Sequence, residues 1–536
     1  MHRVENRKRG RAQRPLRAQD GFILVLTALL LLPLLAFTGL AVDLGSWLGR
    51  AAQIQKAADA AALAGVAYLP DTGRADRAAR EVATANGFTD GTDGISVSVT
   101  PVSGNSAQLR VTITDAGADQ YFTEPFTGGA VDITRASTAE YIKPVPMGSP
   151  KNFLGTGGLL SGSNRENFFL AVSGGCSSKE QGDRIMTQTD ANFTTTNNPP
   201  TGSNGWNRCT GSTTIVNQSY DPNGYFYAVE FAQDYAGSVR LQVYDAPYCT
   251  SGGAGDSTGA FTTRFTVRDN TSFNPLNTGV INSRVFSPSD CGSWGGRWET
   301  LHTLVNPTAG TYFIQVQGQS QAEAGSQDQM GSNSFGLRAL ETRYGGSFQP
   351  CTSDPSQSGS RVDCPNVYGV NNMGILAALA GTTPSFYLAE IGPEHNNKTM
   401  EISLWDPGEG SLELEVLDPT GDPATFRWEV LCQDGSSAPC AGEIAPNGGY
   451  GPQVDDELDL GNPSSDYPQP GPHRVSTSKY SDRLLKLTIE LPTDITAAYG
   501  GLTWWRIRYT VGSAPTDRTT WAVAVKGDPV RLIPND

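Results

Sequence analysis

Cysteine is the residue type whose number and placement most directly suggest chemistry in this 536-residue sequence. An even number of cysteines on an exported segment is typical of disulfides, because thiols oxidise in pairs outside the cytoplasm. Pairing in sequence order keeps each bridge within or beside one segment of predicted structure, although eight cysteines permit about 105 connectivities. The candidate pairs are Cys176 with Cys209, Cys249 with Cys291, Cys351 with Cys364, and Cys432 with Cys440.

Residue patterns for catalysis or metal binding are sparse. The four histidines lie in neither an HExxH motif nor a G-x-S-x-G elbow, and no CxxC motif has matching histidines. Acidic stretches at 406–409 and 455–459 lack the spacing of a calcium loop, which favours solvated acidic loops. We therefore predict no enzyme, no catalytic residue, no cofactor and no metal site.

An aromatic side chain could instead bind sugar. Trp504 is the best single candidate, because it alternates with Trp505 and shares the predicted polar face with Arg506 and Arg508. The alternative is that a neighbouring loop covers this side chain.

A long apolar segment near the N terminus must position whatever follows it. Residues 22–42 contain 21 positions without a charge. At ~1.5 Å per residue a helix of this length reaches ~31 Å, the thickness of the hydrocarbon core of a bilayer. We predict one transmembrane helix, since no second run of this length occurs.

A basic tail, residues 1–20, precedes the span. Its positive charge predicts a cytoplasmic N terminus and a large extracytoplasmic C-terminal region in the cell membrane. The leader is expected to be retained, although cleavage after Gly21 by a prepilin peptidase or near Ala41 by a signal peptidase stays open. The basic residues are Arg3, Arg7, Lys8, Arg9, Arg11, Arg14 and Arg17.

Composition beyond the tail is that of a loop-rich β protein. The chain has 61 Gly, 34 Pro and only 17% charged residues, which fits short strands joined by turns. Outside the tail, 32 Lys/Arg face 52 Asp/Glu, so nucleic acid is not expected as a partner.

The predicted helix continues beyond the bilayer to about Tyr68. Small residues recur at every fourth place in two series, and such spacing lets a second helix approach closely. A plain alanine-rich helix chosen for its propensity is the alternative. The predicted helix-packing residues are Ala41, Gly45, Gly49, Ala57, Ala61 and Gly65.

The stretch AVDLGSWLGRAAQIQKAADAAALAG resembles the N-terminal signature of TadG-like proteins of tight-adherence (Flp-type) pilus assembly. The resemblance is firm over about residues 20–68 and implies a pilin-like α+β unit that assembles with pilus proteins. Matching positions outside the terminal D-A-A-A-L-A-G run are Val42, Asp43, Gly45, Arg50 and Gln55, and that run begins at Asp59.

The remainder predicts a multi-domain protein with two all-β, sandwich-like modules. After the transmembrane helix and α+β unit (21–145) come a linker (146–160), a first module (161–345) and a second module (346–536) with a long loop at 433–478. Alternating apolar residues give about seven strands in each module. Residues 309–340 also weakly resemble the pre-peptidase C-terminal sandwich modules.

These features together predict a membrane-anchored, non-catalytic component of a pilus-assembly or surface-attachment system. Its helix would bind pilus-assembly or pilin-like proteins, and its β modules would contact a surface polysaccharide or protein. The alternative is a membrane-tethered adhesin or carbohydrate-binding protein that uses the helix only as an anchor.

Overall fold

The fold is that of a computed structural model in which two compact units are described. Unit 1 comprises Met1–Tyr141 and Val530–Asp536, and unit 2 comprises Ile142–Pro529. The residues that the structure describes are 19–103, 105–123, 131–160, 167–174, 183–186, 189–190, 215–216, 219–249, 256, 262–318, 331–356, 359–378, 383–405, 411–431, 475–476, 484–511, 516–527 and 530–533.

Unit 1 begins with the long predicted helix. Helix α1 (Gln19–Val66) has 48 residues, and α2 (Thr72–Ala85) follows a short turn. The Asp71 carboxylate accepts a hydrogen bond from the backbone N–H of Arg74 and so caps α2. Helix α1 ends two residues before its predicted end at about Tyr68.

A four-stranded antiparallel sheet completes unit 1. Its order is β1-β2-β3-β26, formed by β1 (Ile95–Val102), β2 (Asn105–Ala118), β3 (Val131–Tyr141) and β26 (Val530–Ile533). Sequence analysis placed residues 530–533 in the second β module. They pair instead with β3, where Val530 lies opposite Tyr141, so unit 2 is inserted between two neighbouring strands of unit 1.

The core of unit 1 lies between the second half of α1, α2 and the sheet. Leu109, Val111 and Ile113 alternate along β2 and are buried, as the period of two predicts. Ile54 and Ala58 of α1 are also fully buried.

Unit 2 is built almost entirely of antiparallel strands. Those of its first half are β4 (Pro146–Met147), β5 (Phe153–Leu154), β6 (Phe168–Ser173), β7 (Thr189–Asp190), β8 (Ile215–Val216), β9 (Tyr225–Phe231), β10 (Ser238–Tyr244), β11 (Thr263–Arg268), β12 (Val280–Phe286), β13 (Trp298–Val305), β14 (Gly310–Gly318) and β15 (Ser332–Glu341).

The second half of unit 2 continues the same architecture. Its strands are β16 (Asn366–Val370), β17 (Asn372–Ala378), β18 (Ser385–Glu390), β19 (Thr399–Trp405), β20 (Ser411–Leu417), β21 (Arg427–Leu431), β22 (Val475–Ser476), β23 (Leu484–Glu490), β24 (Trp504–Val511) and β25 (Thr516–Val525). Two short helices, α3 (Cys291–Trp294) and α4 (Ile495–Tyr499), and 3₁₀ turns at Pro275–Asn277, Pro288–Asp290, Thr342–Tyr344 and Pro393–His395 connect strands.

The pairings arrange these strands in two layers. Layer A runs β13-β10-β15-β6-β17-β25-β19-β23-β21, with β5 also paired to β15. Layer B runs β12-β11-β14-β9-β16-β4-β18-β24-β20-β22. Strands β7 and β8 pair separately.

Aromatic rings fill the space between the layers and make unit 2 a sandwich. Phe335 of layer A contacts Phe265 and Tyr227 of layer B, with ring centroids 5.3 and 6.0 Å apart. Phe386 of layer B similarly contacts Phe168 and Trp521 of layer A at 6.0 and 5.9 Å. The described chain is therefore a long apolar helix followed by sandwich-like β structure, as predicted.

The two halves of the sandwich share their hydrogen-bonded layers. Leu170 of β6 lies opposite Phe335 on one side and Ile375 on the other, so one strand joins both halves. The predicted linker, 146–160, contributes β4 and β5 to the layers. Hydrogen-bonded strands therefore connect the two halves, and the division into a linker and two modules with a boundary at 345/346 stays a prediction.

Burial along β14 differs from the half-buried strand that the sequence indicates. Phe313 and Gln315, which alternate with Tyr312 and Ile314 of the main core, are only 2% and 4% exposed. Phe313 packs in a second apolar cluster on the outer face of layer B with Phe226 and Tyr368. Gln315 is satisfied by hydrogen bonds with the side chain of Arg268 and the carbonyl of Asn223.

Two disulfides join cysteines that were paired in sequence order. Cys249 bonds Cys291, and Cys351 bonds Cys364 across a separation of 13 residues. The other two predicted pairs lie outside the described residues, as do most of the predicted 433–478 loop and nearly all of the basic tail.

Candidate interaction site at the end of the apolar helix

The first half of α1 is apolar and uncovered. Leu24, Leu34 and Phe37 are 73%, 65% and 72% exposed, whereas a soluble protein would bury such residues. Helix α1 is long and apolar enough to cross a membrane, and it is the one such helix among the residues that were searched.

A buried carboxylate marks the end of this apolar stretch. Asp43 has no exposed surface, and its two oxygens accept four hydrogen bonds. The donors are the backbone N–H groups of Tyr121 and Phe122 at 2.9 Å and of Thr123 at 2.6 Å, together with the Thr123 hydroxyl at 2.7 Å. The loop after β2 is thereby fixed to the helix.

These donors also set the charge state of Asp43. Removal from water by itself raises the pKa of the carboxyl, but the hydrogen bonds from the Thr123 hydroxyl and the three backbone N–H groups outweigh it and bring the pKa down to about 2. Asp43 is therefore an anion at physiological pH.

Two more residues of the same helix face extend this contact. The indole N–H of Trp47 donates to the carbonyl of Asp119 at 3.2 Å. The Arg50 guanidinium pairs with Asp115 at 2.6 Å and lies 4.6 Å from the ring centroid of Phe88. Because residues at i, i+4 and i+7 share one helix face, Asp43, Trp47 and Arg50 form a continuous polar stripe, which we call the collar.

The collar passes directly into the buried apolar face of α1. Ile54, Ala57 and Ala61 continue the same spacing toward the helix C terminus and have at most 1% exposure. Gln55 lies beside this face, donating to Asp59 at 2.8 Å and to the carbonyl of Ala136 in β3 at 3.4 Å. Four of the predicted motif residues, Asp43, Arg50, Gln55 and Asp59, thus take part in hydrogen bonds or ion pairs within unit 1.

The six predicted helix-packing residues separate into two groups. Ala57, Ala61 and Gly65 are covered by unit 1 itself; a Cβ added to Gly65 would lie 2.6 Å from Leu109 and 2.9 Å from the carbonyl oxygen of Ala75. The small residues of this group therefore allow the chain's own α2 and sheet to pack closely against α1. The other group, Ala41, Gly45 and Gly49, is exposed along with the motif residue Val42, and packing with a partner helix stays a prediction for that group.

Beside the collar, two aromatic side chains remain uncovered. Tyr121 and Phe122 are 63% and 56% exposed although their backbone is bound to Asp43. Phe122 also lies against the helix, because a Cβ added to Gly39 would be 2.8 Å from the Cβ of Phe122. Gly39 precedes Asp43 by one helical turn, inside the apolar stretch.

The remaining sequence candidates do not form a second site. Trp504 is 6% exposed and packs edge-on against Tyr387, so the expected alternative, a covered indole, is what the fold contains. Among the residues that were searched, no group of three His, Cys, Asp or Glu could hold a metal. The acidic stretches at 406–409 and 455–459 lie in parts of the chain that are not described.

Sequence reasoning found the helix side of the collar but missed its partners. Asp115, Asp119 and the residues 121–123 are separated from their helix partners by 65 to 80 positions. The one local signal is the adjacent aromatic pair, Tyr121 and Phe122, directly after an alternating strand.

Comparison with known families gives a match in this same segment. The profile of the family described as putative Flp pilus-assembly TadE/G-like matches residues 21–68, which include the apolar stretch, the collar and most of the buried half of α1. The suspected TadG-like resemblance is thereby confirmed over this segment. No curated protein matches the chain.

Solved structures give only remote similarity. The N-terminal CBM22-1-CBM22-2 tandem domain of Paenibacillus barcinonensis Xyn10C is 8% identical, with 81% of this chain and 92% of that chain covered and a TM-score of 0.12. The VP2 subviral particle of infectious bursal disease virus is 11% identical, with 74% and 82% covered and a TM-score of 0.07. Scores this low carry no argument about this chain.

Proposed function

We propose that this protein is a single-pass, membrane-anchored, extracytoplasmic component of a Tad/Flp-type pilus-assembly or surface-attachment system, and that its role is non-catalytic. The observation that carries the proposal is the coincidence of three features in residues 21–68: the pilus-assembly family match, the uncovered apolar helix and the collar. A helix that served only as an anchor would need the apolar surface but neither the family match nor the collar.

Charge and chain order support the orientation. Seven basic residues precede the apolar stretch, and positive flanks stay on the cytoplasmic side. The part of unit 1 after Val42 and all of unit 2 would then lie outside the cytoplasm, where the disulfides of unit 2 are stable. Trypsin added to intact spheroplasts should degrade unit 2 and spare a tag placed at residue 1.

The exposed group of small residues is the proposed contact with pilus-assembly or pilin-like helices. Gly45 and Gly49 lie one turn apart, and a Cβ at either position would have nothing within 4 Å. An open glycine face is what a second helix needs for close backbone approach in lipid.

Deletion of the gene and complementation test the assembly role. Wild-type protein should restore the pilin recovered from the sheared surface fraction, and a Gly45→Leu/Gly49→Leu pair should insert normally but restore less. The Gly45→Ala/Gly49→Ala pair is the matched control, because alanine keeps the face small.

The outcomes separate the two candidate functions. Pili that are unaffected by deletion would refute the assembly role and leave the membrane-tethered adhesin. Pili that depend on the gene but tolerate both glycine pairs would refute only the helix contact.

A further inference from the structure

The exposed pair Tyr121 and Phe122 is not used by the proposed assembly contact. We propose that these two side chains insert into the interfacial layer of the lipid bilayer and hold the membrane-proximal end of unit 1 against the membrane surface. This inference rests on the proposed function, since it requires α1 to span the bilayer.

The depth of the pair follows from its contact with α1. Phe122 covers Gly39, four residues before Asp43, and four residues of helix rise by ~6 Å. If the span ends at Val42, three residues after Gly39, Phe122 lies beside Gly39 ~4.5 Å below the boundary of the apolar layer, and the Tyr121 backbone, bonded to Asp43, lies at the boundary. Aromatic side chains concentrate at this depth because their rings are apolar and their edges tolerate water.

Asp43 makes this arrangement rigid. Its carboxylate binds the N–H groups of residues 121, 122 and 123, so the aromatic residues are presented on a fixed backbone. Satisfying those donors also removes a cost, because unpaired N–H groups cannot be placed near hydrocarbon cheaply. Trp47, bonded to the carbonyl of Asp119, fixes the start of the same loop.

Area and continuity favour lipid over a protein partner. A stable protein interface removes ~800 Å² from each partner, whereas a Tyr and a Phe supply ~150–250 Å² each when fully covered. The pair instead lies on a face of α1 that continues as exposed apolar surface, since Leu35, one helical turn before Gly39, is 58% exposed. Whatever surrounds that part of the helix also surrounds Phe122.

Site-specific photo-crosslinking of the full chain in phosphatidylethanolamine/phosphatidylglycerol vesicles tests the proposal. p-Benzoylphenylalanine is placed singly at Phe122, at Tyr121, at Leu30 in the middle of the apolar stretch, and at Ser103. Ser103 is exposed at the far end of the β1–β2 hairpin: Ile95 pairs with Asp115, and Ser103 lies eight residues further along, ~26 Å away. Adducts are identified by mass spectrometry.

The expected result is lipid adducts at Leu30, Phe122 and Tyr121, with yields several-fold above that at Ser103. Lipid adducts at Leu30 combined with protein adducts, or none, at both aromatic positions would overturn the inference and leave the anchor intact. Absence of lipid adducts at Leu30 would refute the membrane span itself, and the inference with it. Asp43→Ala should lower the Phe122 yield several-fold and leave the Leu30 yield unchanged; an unchanged Phe122 yield would refute the positioning role of Asp43.

Discussion

Units 1 and 2 each bury a carboxylate completely, with opposite electrostatic results. Asp43 in unit 1 accepts four hydrogen bonds from one loop, and its pKa falls to about 2. Asp183 in unit 2 also accepts hydrogen bonds, among them those from the N–H groups of Ser173 and Met186 and from the hydroxyl of Tyr225, at 2.6 to 3.1 Å. Burial nevertheless raises the pKa of Asp183 to about 6, against the effect of those donors.

The difference between the two pKa values shows that hydrogen bonds alone do not determine the pKa of a buried carboxyl, because desolvation also contributes. Both carboxylates are met by well-placed donors, but Asp183 lies within a two-layer sandwich where desolvation dominates. Asp43 lies at the edge of a thinner unit, under a single loop. Unit 1 thus adds ionic and polar contacts to its apolar core, whereas unit 2 depends on apolar packing between its two layers.

Truncation of an aromatic ring between the two layers should cause the largest loss of stability. It tests whether the interlayer packing stabilises unit 2 without affecting unit 1. Phe335→Ala removes contacts with Phe265 and Tyr227 and should lower the free energy of unfolding of unit 2 by about 3–5 kcal/mol. Hydrogen exchange of the full chain in detergent micelles, read from peptides of each unit, measures it. Val305→Ala, at a 69% exposed position, is the control, and equal loss of protection in unit 1 would contradict two independent units.

The stability of unit 2 should also depend on pH in a way that distinguishes it from unit 1. The folded pKa of Asp183 lies above its ordinary value of 3.8, so its contribution to stability is complete below pH 4 and is lost as pH rises through 6. A shift of this size corresponds to about 3 kcal/mol. Burial also raises the pKa of Glu390 to about 7, which acts in the same direction.

Urea unfolding of unit 2 between pH 4 and 7 should therefore show decreasing stability, and Asp183→Asn should flatten the slope. The contribution of Asp43 to stability has the opposite pH dependence: it is present above pH 4 and is lost as pH falls through about 2. A unit 2 slope that the Asn variant does not change would rule out Asp183 as its source.

Removing one disulfide tests the covalent share of stability in unit 2. Cys351→Ser/Cys364→Ser opens a loop of 13 residues, whose closure is worth about 2–3 kcal/mol by chain entropy. The midpoint of unfolding should fall in unit 2 and stay constant in unit 1. Full retention of stability in the double variant would contradict a structural role for this bridge.

The smallest effect concerns close packing in unit 1. Gly65→Ala places a methyl group 2.9 Å from the Ala75 carbonyl oxygen, and we expect a loss of about 1–3 kcal/mol. Gly49→Ala is the matched control: its space is open, and alanine should be neutral or stabilising by up to about 1 kcal/mol. Thermal melts that ranked the two variants in reverse would refute the division of the small-residue series.

Local periodicity was sufficient for most individual elements. Leu485, Leu487 and Ile489 alternate along β23 and are buried, and the Ala-rich stretch after Asp43 does form one helix with the apolar stretch before it. Two strands of the layers, β4 and β17, were not predicted because their sequence signals are weak. Strand β4 has two residues and begins with a proline, and β17 contains a glycine and two alanines.

Long-range pairing could not be read from one sequence. Nothing in residues 530–533 indicates that they leave the sandwich and bond to β3, and nothing near Asp43 indicates that its donors lie 78 to 80 positions away. Such contacts depend on which surfaces meet after the elements form. The helix side of the candidate site was predictable; the loop that completes it was not.

The insertion of unit 2 between β3 and β26 has a mechanical consequence. Tyr141 and Val530 are direct neighbours in the sheet, so tension on unit 2 would reach unit 1 at one place and be divided between two strands. A protease that cut the chain near residue 142 would not shed unit 2 at once. Unit 2 would stay attached through the four residue pairs between β26 and β3 until that short strand separated from the sheet.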